Sequence, residues 1–223
     1  IFINPAQFNE ENDFTNYPKT FEADLDILEK TNCEIIFTPS VKEMYPRGAN
    51  PEKTVLKYRD ILCDLSRPGH FDGVTTIVKI LLDLIKPSRV FFGEKDYQQL
   101  KIIEQLILQN SLNIDLIKCP SVRDLNGMSL SSRYVNFSQN QQLQFEECAK
   151  IINTQFKILK KIFNQETVQS IEYELKNFGI SKIDYCEVRN EENLSLSKIN
   201  ERSRLFIAFY LSEIRVIDNF ILY

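Results

Sequence analysis

The sequence predicts an α/β protein in which a Rossmann-like parallel-sheet domain is followed by a small α+β domain with a short antiparallel sheet. Two observations predict this fold. Up to residue 120, short apolar runs alternate with helix-length amphipathic segments, and after residue 120 two helical segments precede three neighbouring strand-like runs. Strands that alternate with long helices form right-handed crossovers into a parallel sheet. We therefore expect two domains, 1–120 and 121–223.

The first elements follow from apolar runs and from the residues that stop them. Ile1–Ile3 has the character of the end of a buried strand that stops at Asn4-Pro5. Thr20 is expected to cap a helix with apolar residues on one face. Cys33–Phe37 has the composition of a short strand, and Pro39 would stop it.

The later elements are marked by helical spacing and by glycine and proline. A long helix is expected after the Arg67-Pro68-Gly69 turn, since apolar residues recur at helical spacing from Val74 to Ile85, and Pro87 would end it. Val90–Phe92 is the next predicted strand. The remaining predicted elements are a helix around 100–107, a strand at 114–117, helices at 139–163 and 166–178, and strands at 183–188, 205–211 and 214–221.

Composition excludes several classes of protein. The net charge is −4 over 223 residues, and no run approaches the roughly 18 apolar residues of a membrane-spanning helix, so neither nucleic acid nor a membrane is an expected partner. The five cysteines are odd in number and form no CxxC pair, which argues against a disulfide framework or structural zinc and favours the reducing cytoplasm. A His-rich metal centre is excluded because His70 is the only histidine.

The first candidate site follows the strand at Val90–Phe92. Gly93-Glu94-Lys95-Asp96 combines a residue that permits close backbone approach, a cation and a carboxylate at a helix start, where ligands of parallel sheets bind. Lys95 can neutralise a phosphate, and Asp96 can hold a sugar hydroxyl or Mg²⁺. The alternative is a solvated turn with a Lys–Asp pair.

Further candidates are a polar loop and neutral amides. Leu130-Ser131-Ser132-Arg133 offers two hydroxyls and a guanidinium that suit a phosphate, or else forms an ordinary polar linker. Gln98 or Gln99 should look back toward the strand ends, and Gln7 could face Gln99 across a pocket. His70 either titrates near neutrality or caps and packs a helix start.

Several of these segments, in this order, resemble the pantoate–β-alanine ligase family of the nucleotidylyltransferase superfamily. The resemblance spans essentially the whole chain, and its most specific part is Gly93–Gln99 with the downstream Ser131–Arg133. The matching segments are residues 1–8, 17–20, 45–46, 66–71, 92–100, 130–133 and Ile217-Asp218-Asn219.

The resemblance implies a two-step reaction in which ATP activates pantoate as an acyl adenylate and β-alanine then displaces AMP. It also implies Mg²⁺ and a homodimer. By motif, pantoate would be held by Gln7 and Gln99, with Gln7 also near β-alanine. The residues implied to bind ATP are Gly93, Glu94, Lys95, Asp96, Val122 (through its backbone), Leu130, Ser131, Ser132 and Arg133. The residues implied to be catalytic are Lys95, Ser131, Ser132 and Arg133.

The chain departs from the family pattern at two places. The family's His-x-Gly-His motif, which grips the phosphates, belongs before Ile1 and is absent from this sequence, as are the first strand and helix. We expect a segment that precedes this sequence to supply them; a molecule that began at Ile1 would be a non-catalytic ligand-binding fragment. Leu62-Cys63-Asp64 also stands where the family has Leu-Glu-Gly. Another nucleotidylyltransferase, with a phosphate-bearing acceptor, is the second alternative.

Overall fold

The computed structural model describes residues 1–9, 14–197 and 201–222 of the chain. Its helices are α1 (Phe21–Leu28), α2 (Val41–Met44), α3 (Cys63–Ser66), α4 (His70–Ile85), α5 (Tyr97–Gln109), α6 (Gln139–Leu159) and α7 (Gln165–Asn177). Its strands are β1 (Arg89–Gly93), β2 (Asp115–Cys119), β3 (Ile183–Asn190), β4 (Ser203–Leu211) and β5 (Ile214–Ile221). Short 3-10 turns occupy Pro5–Gln7, Glu94–Asp96 and Ser132–Asn136. No helix among these described residues is long and apolar enough to cross a membrane.

The chain forms two compact units whose boundaries run through β1, α5 and β2. The first unit comprises residues 1–57, 67–90 and 102–115, and the second comprises 58–66, 91–101 and 116–223. Two short segments from the first half of the sequence therefore pack with the C-terminal part. The boundary between residues 120 and 121, where the order of elements changes, stays a proposal about domain organisation.

In the first unit, α4 supplies the main apolar face. Its residue Ile77 packs with Met44 and Tyr45 in a buried cluster. The helix begins after Gly69, whose φ of 82° lies in the left-handed region that glycine adopts without strain. It ends at Ile85, two residues before Pro87, as the sequence predicts.

Two predicted strands are not formed. Ile1–Ile3 and Cys33–Phe37 have no strand assignment, although the Ile1 backbone nitrogen donates to the Phe37 carbonyl oxygen. A strand requires a continuous ladder of backbone hydrogen bonds, and neither segment makes one with the described residues. Pro5 and Pro39 lie just beyond the two segments, and a proline cannot donate to a ladder.

The α/β architecture is confirmed. β1 and β2 form a two-stranded parallel sheet joined through α5, and the second strand lies at Asp115–Cys119 rather than at 114–117. The C-terminal strands form an antiparallel sheet in the order β3-β4-β5. The longer C-terminal helices, α6 and α7, cover one face of this sheet through a buried apolar cluster that includes Phe145, Ile171 and Phe209.

Candidate functional site

The Gly93–Asp96 turn, predicted to bind ATP, connects β1 to α5 in the second unit. Gly93 ends the strand with extended backbone, and a Cβ atom added there would meet no heavy atom within 4 Å. Glu94, Lys95 and Asp96 form the 3-10 turn, in which Lys95 is half-buried and Asp96 is exposed. The turn therefore leaves room for a ligand to approach the backbone next to a cation and a carboxylate.

The carbonyl oxygens of this turn are held by a side chain from β5. Asn219 Nδ2 donates to the Glu94 carbonyl oxygen at 2.8 Å and to the Lys95 carbonyl oxygen at 2.9 Å. The side chain of Asn219 is almost fully buried, so both hydrogen bonds are shielded from water. The backbone that carries Lys95 is consequently fixed to the C-terminal sheet.

Arg204, a buried arginine on β4, contacts both Asn219 and the side chain of Glu94. Arg204 donates from Nη1 to Asn219 Oδ1 at 2.8 Å and from Nε to Glu191 Oε1 at 2.8 Å, and its Nη2 lies 3.2 Å from Glu94 Oε2. Its guanidinium also lies 4.1 Å from the ring centroid of Tyr97. Burial raises the pKa of Tyr97, while the Arg204 charge opposes that shift. Tyr97 therefore stays protonated near neutral pH and donates to the Glu191 carbonyl oxygen at 3.2 Å.

The second predicted ATP segment, Val122–Arg133, is folded as a hairpin with a short helical end. The Leu130 nitrogen donates to the Val122 carbonyl oxygen at 2.9 Å, and Arg123 pairs with Ser129 as an isolated antiparallel bridge. Val122, predicted to meet adenine, thus lies beside the start of the predicted phosphate loop. Ser131 Oγ then accepts from the Arg133 nitrogen at 3.3 Å and caps the turn that contains Ser132.

Asp218 of β5 anchors this hairpin. Its Oδ2 accepts from the Ser129 nitrogen at 2.7 Å and from Arg123 Nη1 at 3.0 Å, and Oδ1 accepts from the Asn219 nitrogen. Burial of the carboxyl group raises its pKa, and the Arg123 charge and these backbone donors oppose the shift. The side chain of Asp218 is wholly buried, so its carboxylate is not open to a ligand. Its role is to hold the hairpin through these hydrogen bonds.

The two adjacent glutamines have different surroundings. Gln98 Oε1 accepts from the Cys63 nitrogen at 3.0 Å, and Gln98 Nε2 donates to the carbonyl oxygens of Tyr58 and Ile61, both at 2.9 Å. Both ends of this buried amide are therefore used to hold the 58–63 segment. Gln99 is half-buried, and its assignment to pantoate stays a prediction.

The segment held by Gln98 is where the sequence departs from the family pattern. The acidic group there belongs to Asp64, whose carboxylate oxygens accept from Arg59 Nε at 3.0 and 3.1 Å, while Oδ2 also accepts from the Asp60 nitrogen at 2.7 Å. The side chains of Asp64 and Arg59 are about 95 % buried. The carboxylate is thus engaged by the protein itself, with Cys63 beside it.

Gln7, predicted to bind pantoate and β-alanine, lies in the first unit at the end of the Pro5–Gln7 turn. Asn4 begins this turn, donating from Nδ2 to the Gly73 carbonyl oxygen at 3.1 Å and accepting from the Tyr45 hydroxyl at 2.7 Å. Burial raises the pKa of Tyr45 to about 12, so its hydroxyl remains a donor at neutral pH. Gln7 and Asn4 are the polar residues lining a cavity of about 410 Å³ whose other walls include Ile77 and further apolar side chains.

His70 and Arg67 position the backbone of Gln7. His70 Nδ1 lies 2.7 Å from the Gln7 carbonyl oxygen, and Arg67 donates to the same oxygen at 3.2 Å. Because a carbonyl only accepts and a guanidinium only donates, Nδ1 carries the proton and Nε2 accepts from Arg67 Nη1 at 3.2 Å. This arrangement agrees with the expectation that His70 packs at the helix start.

The close packing of Gly73 against the Gln7 turn gives a testable prediction. A Cβ atom on Gly73 would lie 2.1 Å from the Ala6 carbonyl oxygen and 2.7 Å from the Gln7 nitrogen. Overpacking of a core lowers the stability of the folded protein by about 1–3 kcal/mol. Replacing a glycine inside a helix with alanine raises that stability by about 1 kcal/mol. Because the obstacle is backbone, we expect Gly73→Ala to lower the free energy of unfolding and to raise the KM for pantoate.

Urea unfolding and steady-state kinetics test this prediction. Lys79→Ala, at a partly exposed position of the same helix, is the control and should change stability by about 0.5 kcal/mol or less. A Gly73→Ala variant with unchanged stability and an unchanged KM for pantoate would show that the Gln7 turn moves aside freely.

The described structure therefore groups the predicted ATP residues in the second unit, whereas Gln7 lies in the first. The facing of Gln7 and Gln99 stays a prediction. Four polar residues that hold the two predicted ATP segments received no predicted role. They are Arg123, Arg204, Asp218 and Asn219. The sequence signal for two of them is the polar pair Asp218-Asn219 in a strand that is apolar apart from these two residues and Arg215, within a segment that resembles the family.

Comparison with known proteins identifies close similarities along the whole chain. The profile of the family described as Pantoate-beta-alanine ligase matches residues 1–221. The pantothenate synthetase of Caldicellulosiruptor bescii is 35 % identical, with 99 % of this chain and 79 % of that protein aligned. The pantothenate synthetase of Acinetobacter baylyi is 38 % identical, with 98 % and 78 % aligned.

Solved structures agree with this result. A crystal structure of the Thermus thermophilus pantothenate synthetase superposes with a TM-score of 0.89 at 30 % identity, covering 100 % of this chain and 82 % of that one. The Francisella tularensis pantoate-beta-alanine ligase, described as complexed with beta-gamma ATP and beta-alanine, has a TM-score of 0.84 at 33 % identity, covering 100 % and 77 %.

Proposed function

The chain belongs to the pantoate–β-alanine ligase family, and we propose that it forms the C–N bond of pantothenate in two steps through a pantoyl-adenylate intermediate. The observation that carries the mechanism is the anchoring of both predicted ATP segments, the Gly93–Asp96 turn and the Val122–Arg133 hairpin, on adjacent residues of β5. ATP would lie between the glycine turn and the hairpin.

In the first step, a carboxylate oxygen of pantoate attacks the α-phosphorus of ATP, and the bond from that phosphorus to the bridging oxygen of pyrophosphate breaks. Both reactants are anions, so cations must offset the charge that develops on the phosphates. Lys95 and Arg133 would supply these cations, with hydrogen bonds from Ser131 and Ser132. Gln7 and Gln99 would hold pantoate by neutral hydrogen bonds.

In the second step, the uncharged amine of β-alanine attacks the acyl carbon of the adenylate. The C–N bond forms, the C–O bond to AMP breaks, and the amine loses a proton. An acyl adenylate hydrolyses readily, so the site must exclude water until the amine arrives. Residues Leu130–Arg133 are suited to closing over the phosphates because Leu130 and Ser132 are exposed at the end of an anchored hairpin.

The family resemblance implies Mg²⁺, and the residues present suit it. Mg²⁺ bound with nucleotides usually takes one or two protein carboxylates and completes its shell with phosphate oxygens and water. Asp96 offers an exposed carboxylate beside Lys95, and would hold the ion. When bound, the ion would neutralise phosphate charge. We also propose a homodimer, and a cytoplasmic location supported by the five cysteines and the demand for ATP.

The test is an exchange assay on the intact protein with ATP, Mg²⁺ and pantoate. We expect labelled pyrophosphate to enter ATP only when pantoate is present, and to do so without β-alanine. Addition of β-alanine should then yield AMP and pantothenate in equal amounts. Formation of ADP and phosphate, or exchange that requires β-alanine, would contradict the adenylate mechanism.

A further inference from the structure

We propose that Asp218 and Asn219 are positioning residues that set the register between the two ATP-binding segments, each holding one of them from opposite faces of β5. The inference rests on the proposed function, since it takes the Gly93–Asp96 turn and the Val122–Arg133 hairpin as parts of one nucleotide site. It adds a role for two residues that contact the protein rather than the nucleotide.

Adjacent residues of a strand point to opposite faces of the sheet, and the pairing of β5 with β4 shows which face each residue occupies. Asn219 pairs with Phe206, which packs with Tyr97 and Leu62. Asp218 pairs with Ile207, which belongs to the cluster containing Met128. The 91–101 segment therefore lies on the Asn219 face, and the hairpin lies on the Asp218 face.

On its face of the sheet, Asn219 holds main-chain atoms of the Gly93–Asp96 turn rather than the side chains of that turn. Its two amide hydrogens reach the carbonyl oxygens of Glu94 and Lys95, and Arg204 fixes the amide oxygen. With every polar atom of the side chain used, only one orientation of Asn219 satisfies its neighbours. The direction in which the Lys95 side chain leaves the turn therefore follows from the position of β5.

On the other face, Asp218 holds the strand of the hairpin that leads into the phosphate loop. Oδ2 accepts from the Ser129 nitrogen and from Arg123, and Arg123 Nη2 donates to the Asn219 carbonyl oxygen at 2.6 Å. Ser129 precedes Leu130, where the predicted loop begins. One residue of β5 thus fixes the loop, and the next residue fixes the lysine.

The register of β5 in the sheet therefore determines where the glycine turn and the hairpin are held. A slip of β5 by one residue would exchange the faces of Asp218 and Asn219 and release both segments. The antiparallel pairing of β5 with β4 runs from Arg204–Ile221 to Leu211–Ile214, which makes such a slip costly. Both predicted ATP segments are therefore held by a strand whose register is itself fixed by pairing.

The test compares variants of each residue in the intact protein. Asn219→Asp keeps the oxygen that accepts from Arg204 and loses both hydrogen bonds to the turn, and Asp218→Ala releases the hairpin. We expect each to raise the dissociation constant for ATP about tenfold to a hundredfold. The KM values for pantoate and β-alanine should stay within about twofold. Asp218→Asn, which keeps an acceptor oxygen, should recover most of the affinity lost in Asp218→Ala.

A double variant distinguishes joint alignment from two separate effects. If the residues act as one register device, Asp218→Ala combined with Asn219→Asp should weaken ATP binding little more than the stronger single variant. A loss equal to the product of the single effects would overturn the proposal. Asn164→Ala is the control, because Asn164 caps α7 through the Thr167 nitrogen at 2.8 Å and holds neither ATP segment.

The failure of this inference is distinguishable from failure of the proposed function. A parent protein without pantoate-dependent exchange would contradict the proposed function. An active parent whose variants keep ATP affinity within about twofold, or lose pantoate affinity equally, would overturn the register role alone.

Discussion

Replacement of Lys95 by alanine is expected to lower kcat/KM for pantoyl-adenylate formation by about a hundredfold to a thousandfold. The Lys95 carbonyl oxygen accepts from Asn219, so the backbone from which the lysine side chain extends is fixed before the substrate arrives. Loss of the cation leaves the attack of one anion on another without that screening. Pantoate-dependent exchange of pyrophosphate into ATP measures the effect.

Lys176→Ala is the matched control for this prediction. Lys176 lies on α7 in the same unit, is 58 % exposed and pairs with Glu172 at 3.4 Å, so its loss should leave exchange unchanged. In Lys95→Ala, the rate at which β-alanine captures preformed adenylate should fall much less than the rate of adenylate formation. If Lys95→Ala retained a third or more of parent exchange, Lys95 would not be the phosphate-binding cation.

Replacement of Arg204 by alanine is expected to produce the largest loss of stability, about 3–5 kcal/mol in the free energy of unfolding. The Arg204 side chain is 6 % exposed, and its carboxylate partners Glu191 and Glu94 are 10 % and 20 % exposed. Removing the guanidinium takes the buried cation away from both carboxylates, leaves Glu191 with the exposed Arg202, and removes a donor from Asn219 Oδ1. Urea unfolding followed by circular dichroism and tyrosine fluorescence measures the change, since the chain contains no tryptophan.

An exposed arginine that also pairs with Glu191 provides the control for this prediction. Arg202 Nε lies 3.3 Å from Glu191 Oε2, but the Arg202 side chain is 80 % exposed. An exposed ion pair contributes about 0–1 kcal/mol, so Arg202→Ala should be nearly neutral. Equal losses for the two variants would mean that burial of Arg204 contributes nothing beyond its charge.

Much of the secondary structure was predictable because its signals are local. Gly69 and Pro87 bracket α4, and an apolar run predicts β5 with the bounds Ile214–Ile221 that the structure has. Helical periodicity and turn residues act over a few neighbouring positions, so one sequence suffices to identify them. The strands expected at Ile1–Ile3 and Cys33–Phe37 are absent because a strand also needs a partner, which local composition does not specify.

The candidate site divides in the same way. Gly93–Asp96 and Leu130–Arg133 were recognisable as candidate phosphate-binding segments because their charged and hydrogen-bonding residues are neighbours in the sequence. The partners that Gln98, His70 and Arg204 find were not recognisable, since each side chain contacts backbone atoms or charges far away in the sequence.

By itself, the sequence predicted most of the elements in their order, the family and the residues that we propose bring charge to ATP. Only the tertiary structure decided how those residues are held. Asp218 reaches Ser129 across 89 positions, and Asn219 reaches Glu94 across 125. Contacts at such separations arise from the packing of whole elements, because no local preference links the residues that meet.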